Sequence, residues 1–142
     1  EMFDAVIKEY ESCNIAILSA AVADYRPSVV SDTKIKKKDN NLELYLEPTT
    51  DILATLGQQK TNQILVGFAL ETNNEKENAI KKLINKNLDF IVLNSLQNEG
   101  AGFAFDTNKI SILDKNNKTT DFELKSKTDV AIDIIDYIVT KL

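Results

Sequence analysis

Four lysines in five residues, Lys34-Ile35-Lys36-Lys37-Lys38, form the densest group of chemically capable side chains in the sequence. Ammonium groups crowded on one stretch suit an anion, since each charged hydrogen bond to a phosphate or carboxylate contributes about 1.5–3 kcal/mol. The same run also suits a solvated face that balances an acidic protein, and charge alone leaves both open. A second pair, Lys82 and Lys86, lies four residues apart, so on a helix both project from one face. Like charges at that spacing repel by roughly a few tenths of a kcal/mol, a cost that a phosphate between them would relieve. The pair is equally what a helix C-terminus attracts, opposite Glu75 and Glu77 in the first turn. Asp24 could hold Mg²⁺ as a single hard oxygen ligand beside substrate phosphates, or it could shape a turn or pair with Arg26. Gly67-Phe68-Ala69 could present backbone groups and a ring face to a nucleobase, or simply pack at a strand end. Cys13 reads as a small buried hydrophobe, and Phe103 and Phe105 as packing residues.

What is missing narrows the chemistry. The 142 residues contain no histidine, one cysteine and four glycines. No Ser-His-Asp or Cys-His nucleophilic site and no histidine metal cluster can come from this chain. A lone thiol makes neither an intrachain disulfide nor a Cys-rich zinc site, so a reducing cytoplasm suits it. Gly57, Gly67, Gly100 and Gly102 are too scattered for a G-x-G-x-x-G or Walker A loop. The net charge of −5 argues against a nucleic-acid partner. No apolar run reaches the roughly 18 residues of a membrane span, so no membrane partner is expected.

The elements that must position these groups follow from periodicity. Met2, Phe3, Val6, Ile7 and Tyr10 recur at helical spacing over about residues 1–11, with no lead-in and no clear cap. That abrupt opening predicts a piece of a domain whose earlier part precedes Glu1. Ile15–Leu18, Ile64–Leu70 and Asp89–Asn94 are continuous apolar runs of the kind buried on both sheet faces. Small residues from Ser19 to Ala23 permit close backbone approach before Pro27 stops regular structure, and residues 28–40 read as a long loop. Leu42, Leu44 and Leu46 alternate with Glu43, Tyr45 and Glu47, predicting a half-exposed strand. Asp51 caps a helix through about Lys60, Asn74-x-x-Glu77 opens another as a capping box, and Ser126-x-x-Asp129 caps a last one. Lys109–Asp114 and Thr120–Leu124 form a hairpin across Lys115-Asn116-Asn117-Lys118. The prediction is a three-layer, Rossmann-like α/β fold: a mainly parallel sheet, helices on both faces, and a C-terminal β-hairpin. Ligands bind such sheets at the carboxyl ends of the strands, here Ser19–Asp24, Phe68–Thr72 and Asn94 onward.

Read as strings, these stretches resemble phosphopantothenoylcysteine synthetase, the coenzyme A biosynthetic ligase. Ser19-Ala20-Ala21-Val22-Ala23-Asp24-Tyr25-Arg26-Pro27 and Lys34-Ile35-Lys36-Lys37 come first. Pro48-Thr49-Thr50-Asp51-Ile52-Leu53, Val66-Gly67-Phe68-Ala69-Leu70-Glu71-Thr72 and residues 86–94 follow in the family's order, then Gly100-Ala101-Gly102-Phe103 and Thr107-Asn108. The resemblance implies that residues 1–142 are the C-terminal portion of one synthetase domain. The implied reaction joins 4′-phosphopantothenate to cysteine through an acyl-cytidylate, at the expense of CTP and with Mg²⁺. It implies Lys34 as the flap lysine that stabilises the activated intermediate, and Ala20 and Ala21 as small residues approaching the substrate. Asp24 matches a carboxylate on the nucleotide and metal side. Phe68, Ala69, Asp51 and Ile52 match groups that read the base, and Lys82 and Lys86 the helix pair that holds the nucleotide. A cytoplasmic homodimer fused to a phosphopantothenoylcysteine decarboxylase is implied as well.

Two departures from the family pattern stand out. Thr50 replaces a proline, which predicts a tuning effect on the turn that positions Asp51. The family's glycine-rich nucleotide loop and Asn-x-Ser-Ser-Gly-Lys segment would precede the first helix and do not occur in these residues, so the segment alone is expected to be a poor enzyme. Two other readings remain beside it: a non-catalytic nucleotide-binding module, and a polyanion-binding domain working through Lys34–Lys38.

Overall fold

The computed structural model describes residues 1–37, 41–95 and 105–142. The chain begins with α1 (Met2–Tyr10) and β1 (Ile15–Leu18), followed by two short strands, β2 (Tyr25–Pro27) and β3 (Leu46–Pro48). Helix α2 (Ile52–Gln59) leads to β4 (Ile64–Glu71), α3 (Glu75–Asn85) and β5 (Phe90–Ser95). The last part contains β6 (Thr107–Asn108), β7 (Ile110–Asp114), β8 (Thr119–Asp121), β9 (Lys125–Ser126) and α4 (Lys127–Val139).

Five strands form one sheet in the order β1-β4-β5-β7-β8. β1, β4 and β5 run parallel, and the β7–β8 hairpin adds two antiparallel strands beyond β5. The fold is therefore α/β with a parallel core, as the three apolar runs predict. Strand periodicity divides the side chains between two faces. Leu65, Ala69, Ile91, Leu93 and Leu113 pack with α1, α2 and α3 through Tyr10, Ile52, Leu56, Ala79 and Leu83. Val66, Phe90, Val92, Ile110 and Ile112 pack on the opposite side against Val130, Ile134 and Ile138 of α4. Full burial of each such aliphatic side chain stabilises the fold by about 1.5–3 kcal/mol.

Several local expectations are corrected. β1 is half-buried rather than buried on both faces, because among the described residues it has a strand neighbour on one side only. Leu42 and Leu44 are exposed and outside any strand, so the alternating pattern yields only the three residues of β3. Period alone does not make a strand where no face is covered. β3 pairs with β2 in a small antiparallel ribbon, so regular structure reaches Pro27, at the end of a strand where a missing N–H is tolerated. Asn74 adopts the left-handed region (φ 47°) and its side chain does not cap α3, so no capping box forms there. Asp51 and Ser126 do cap α2 and α4, accepting from Ala54 N at 2.9 Å and Asp129 N at 3.1 Å. At the hairpin turn, Asp114 Oδ1 accepts from the N–H groups of Asn116 and Lys118.

One glycine is required by a close approach. A Cβ on Gly57 of α2 would lie 1.9 Å from the carbonyl oxygen of Lys86, and the Gly57 carbonyl accepts from Asn87 Nδ2 at 2.8 Å. The C-terminal end of α3 is thereby seated directly on α2. No helix among the described residues is long and apolar enough to cross a membrane.

Candidate functional site

A cleft of about 410 Å³ opens at the carboxyl ends of β1, β4 and β5. One wall is the stretch Ser19–Asp24 after β1, and a second is the Thr49–Leu53 turn into α2. Phe68, Ala69 and Leu70 at the end of β4, with Asn94 of β5, form the back, and Lys82 and Lys86 reach in from α3. The β1–β4 pairing stops at Leu18 and Gly67, and the small, exposed Ala20 and Ala21 leave backbone open beyond it, while Ala69 stays buried in the β4–β5 ladder.

Nine of the ten residues singled out from the sequence, namely Ala20, Ala21, Asp24, Asp51, Ile52, Phe68, Ala69, Lys82 and Lys86, line this one cleft. The tenth, Lys34, does not line it. Lys34 is exposed on the β2–β3 connection, anchored at its base by Ser28 N–H donating to the Tyr45 carbonyl at 2.9 Å. Lys38 and the block Gly100–Phe103 lie outside the described residues. Phe105 is exposed rather than packed.

The two α3 lysines reach the cleft through helix geometry. α3 runs away from the sheet's carboxyl end, and helical side chains lean toward their own N-terminus. Lysines on its last turns therefore point back up toward the cleft. The repulsion expected between them is relieved by protein carboxylates. Lys86 Nζ lies 2.8 Å from Asp51 Oδ2, and Lys82 Nζ lies 2.6 Å from Glu71 Oε1. The second contact is charge against charge rather than a directed hydrogen bond, for the buried Oε1 meets no donor at hydrogen-bonding angles. Arg26 pairs with Glu47 at 2.7 Å, which leaves Asp24 free of that alternative partner.

Asp51 has two tasks. One oxygen caps α2 and the other meets Lys86. Partial burial works against its charge, but the Lys86 ammonium and the N–H groups of Ala54 and Leu53 outweigh it and hold its carboxyl below the usual range. The turn before Asp51 is tied to the β1 end by Thr49, whose N–H donates to the Asp24 carbonyl at 2.8 Å and whose Oγ1 donates to the Ala23 carbonyl at 2.6 Å. A depressed carboxylate pKa stabilises the fold above the unfolded value of 3.8 and is lost as pH falls through the lower folded value. Asp51→Asn keeps a capping side chain but removes the charge. It is expected to cost about 0.5 kcal/mol at neutral pH, discounted for a half-exposed pair, and to converge with the parent once pH has fallen below the lowered folded value. Thermal unfolding of both proteins across that range checks it.

Glu71 and Asn94 fall within the strand-end stretches Phe68–Thr72 and Asn94 onward, but sequence reasoning gives neither a role. Asn94 sits at the strand end the topological rule indicates, with its Oδ1 accepting from Asn108 Nδ2 at 3.0 Å. Glu71 is separated from Lys82 by eleven positions and a turn, a spacing that no local pattern reads.

Comparison with known proteins follows the same lines. The family described as the DNA/pantothenate metabolism flavoprotein C-terminal domain matches residues 1–142. The chain is 45% identical over 138 residues to the Coenzyme A biosynthesis bifunctional protein CoaBC of Bacillus subtilis (strain 168), covering 97% of this chain and 34% of that protein. It is 54% identical over 141 residues to a protein named Cysteine/Cysteine sulfinic acid decarboxylase from an unknown prokaryotic organism, covering 99% of this chain and 39% of that one. The chain thus spans little more than a third of the length of these relatives. A crystal structure of the C-terminal domain of a CoaBC protein superimposes with a TM-score of 0.77 at 39% identity, covering 99% of this chain and 62% of that one.

Proposed function

The chain belongs to the DNA/pantothenate metabolism flavoprotein C-terminal domain family, and from that premise we propose that its cleft is the nucleotide and acid site of a phosphopantothenate–cysteine ligase. The observation that carries the reading is the convergence of nine motif-matched residues from four separate stretches on one cleft. The whole protein would join 4′-phosphopantothenate to cysteine in coenzyme A biosynthesis.

In the proposed reaction the phosphopantothenate carboxylate attacks the α-phosphorus of CTP, forming a P–O bond as pyrophosphate leaves. The cysteine amine then attacks the acyl carbon, loses a proton, and releases CMP as the amide forms. Both steps place negative charge on phosphate oxygens, so fixed cations supply much of the assistance. Lys82 and Lys86 hold the nucleotide, the backbone at Phe68, Ala69, Asp51 and Ile52 reads the base, and Ala20 and Ala21 let the acid approach closely. Lys34, on its exposed loop, closes over the activated intermediate. A magnesium ion of the kind held mostly by phosphate and water would need few protein ligands, and Asp24 at the cleft wall would supply one hard oxygen. When bound there, Mg²⁺ would neutralise phosphate charge.

The assembly is proposed as a cytoplasmic homodimer fused to a phosphopantothenoylcysteine decarboxylase. The position of Lys34 away from the cleft favours a second reading for this stretch by itself, a nucleotide-binding module without ligase activity. The test is pyrophosphate release by the complete protein. With CTP and Mg²⁺, release is expected only when phosphopantothenate is present; no such release would sink the ligase reading, while retained CTP binding would leave the module.

A further inference from the structure

We propose that Glu71 is a positioning residue: clamped by Asn78, it holds the Lys82 ammonium against the cleft wall, so that a nucleotide phosphate meets a cation already in place. The inference rests on the cleft being a nucleotide site. β4 ends on Glu71, whose side chain is only 13% exposed, whereas that of Lys82 is 45% exposed. Oε1 faces Lys82 Nζ at 2.6 Å, and Oε2 accepts from Asn78 Nδ2 at 3.2 Å. Asn78 is itself tied down, since its Nδ2 also donates to the Asn73 carbonyl at 3.0 Å. Asn78 and Lys82 are four residues apart on α3, so a single helix face brings an amide donor to one oxygen of the carboxylate and an ammonium charge to the other.

The two lysine pairs of the cleft therefore differ in kind. Asp51 is 47% exposed, so water can solvate it if a phosphate takes its place on Lys86. Glu71 has no such freedom, because a buried carboxylate stripped of its cation is strongly disfavoured. A nucleotide should displace Asp51 but bind alongside Glu71, using the Lys82 N–H groups that Glu71 does not face. Ordering a long lysine side chain before the ligand arrives removes that cost from binding.

Glu71→Gln in the complete protein tests the idea. The amide has the same shape but one oxygen, so either Lys82 or Asn78 is left facing another donor. The KM for CTP should rise about three- to tenfold, up to the whole contribution of Lys82, while kcat at saturating CTP and the KM for phosphopantothenate stay within about twofold. In a Lys82→Met background the same substitution should add less than about twofold. Ligand-free protein treated with an amine-acylating reagent should label several-fold faster at Lys82 in Glu71→Gln than in the parent, read by peptide mass. An unchanged or lower CTP KM, or an undiminished effect in the Lys82→Met background, overturns the proposal. If the parent itself shows no CTP-dependent turnover, the nucleotide reading falls, and the Lys82 labelling rate still decides whether Glu71 restrains that side chain.

Discussion

Replacing Lys34 with glutamine in the complete protein is expected to slow formation or turnover of the acyl-cytidylate by about 10²–10³-fold, the effect of losing one preorganised charge partner of a transition state. The fold should be untouched. Lys34 is exposed on the connection between β2 and β3, and neither sheet face nor helix packs on it. The base of that connection is held by other groups: the Ser28–Tyr45 backbone bond and the Arg26–Glu47 ion pair. A side chain outside the ligand-free cleft that acts in the reaction must arrive with loop movement. Its loss should therefore appear in single-turnover rates rather than in CTP affinity. An unchanged single-turnover rate would remove Lys34 from the mechanism and leave the lysine run as a solvated face. A comparable loss in CTP affinity would instead make it an ordinary phosphate contact.

The contrast between Lys34 and the other site residues shows what a sequence makes visible. Ile64–Leu70 and Asp89–Asn94 are legible as central strands because burial on both faces demands unbroken apolar runs, and the strand-end rule then locates the cleft. Asp51 is legible because capping is a local exchange between one side chain and an N–H three residues on. Asn74 misleads for the converse reason. Its residue type suits a cap, but the left-handed backbone that it adopts after β4 turns its side chain away from that role. β2 carries no periodic signal because it is three exposed residues long, and the Leu42–Glu47 alternation overshoots because pairing with β2 holds only Leu46–Pro48 as a strand. The partners of Lys82 and Lys86 are hidden for a further reason. Helix-dipole preference already explains lysines at a C-terminus, so nothing in the pattern asks for Glu71 or Asp51 until the helix is seated on Gly57.

Lys82 and Lys86 can be tested together, and the expected effect is large. Each supplies a charged contact from a partly exposed ammonium, worth about tenfold in affinity, so Lys82→Met with Lys86→Met should weaken CTP binding by about a hundredfold. The two side chains pair with different carboxylates, which argues for near-additive single effects. Their stability costs should differ. Loss of Lys86 leaves Asp51 half-exposed and still capping α2, whereas loss of Lys82 strands the largely buried Glu71 carboxylate. The affinity of the parent for CTP should also fall as salt is raised, and the double variant should show a flatter dependence, because the screened charges are gone. Titration calorimetry at two ionic strengths measures both. If the double variant binds CTP within about threefold of the parent, the lysines only complement the α3 dipole and their carboxylate neighbours, and the nucleotide must be held elsewhere.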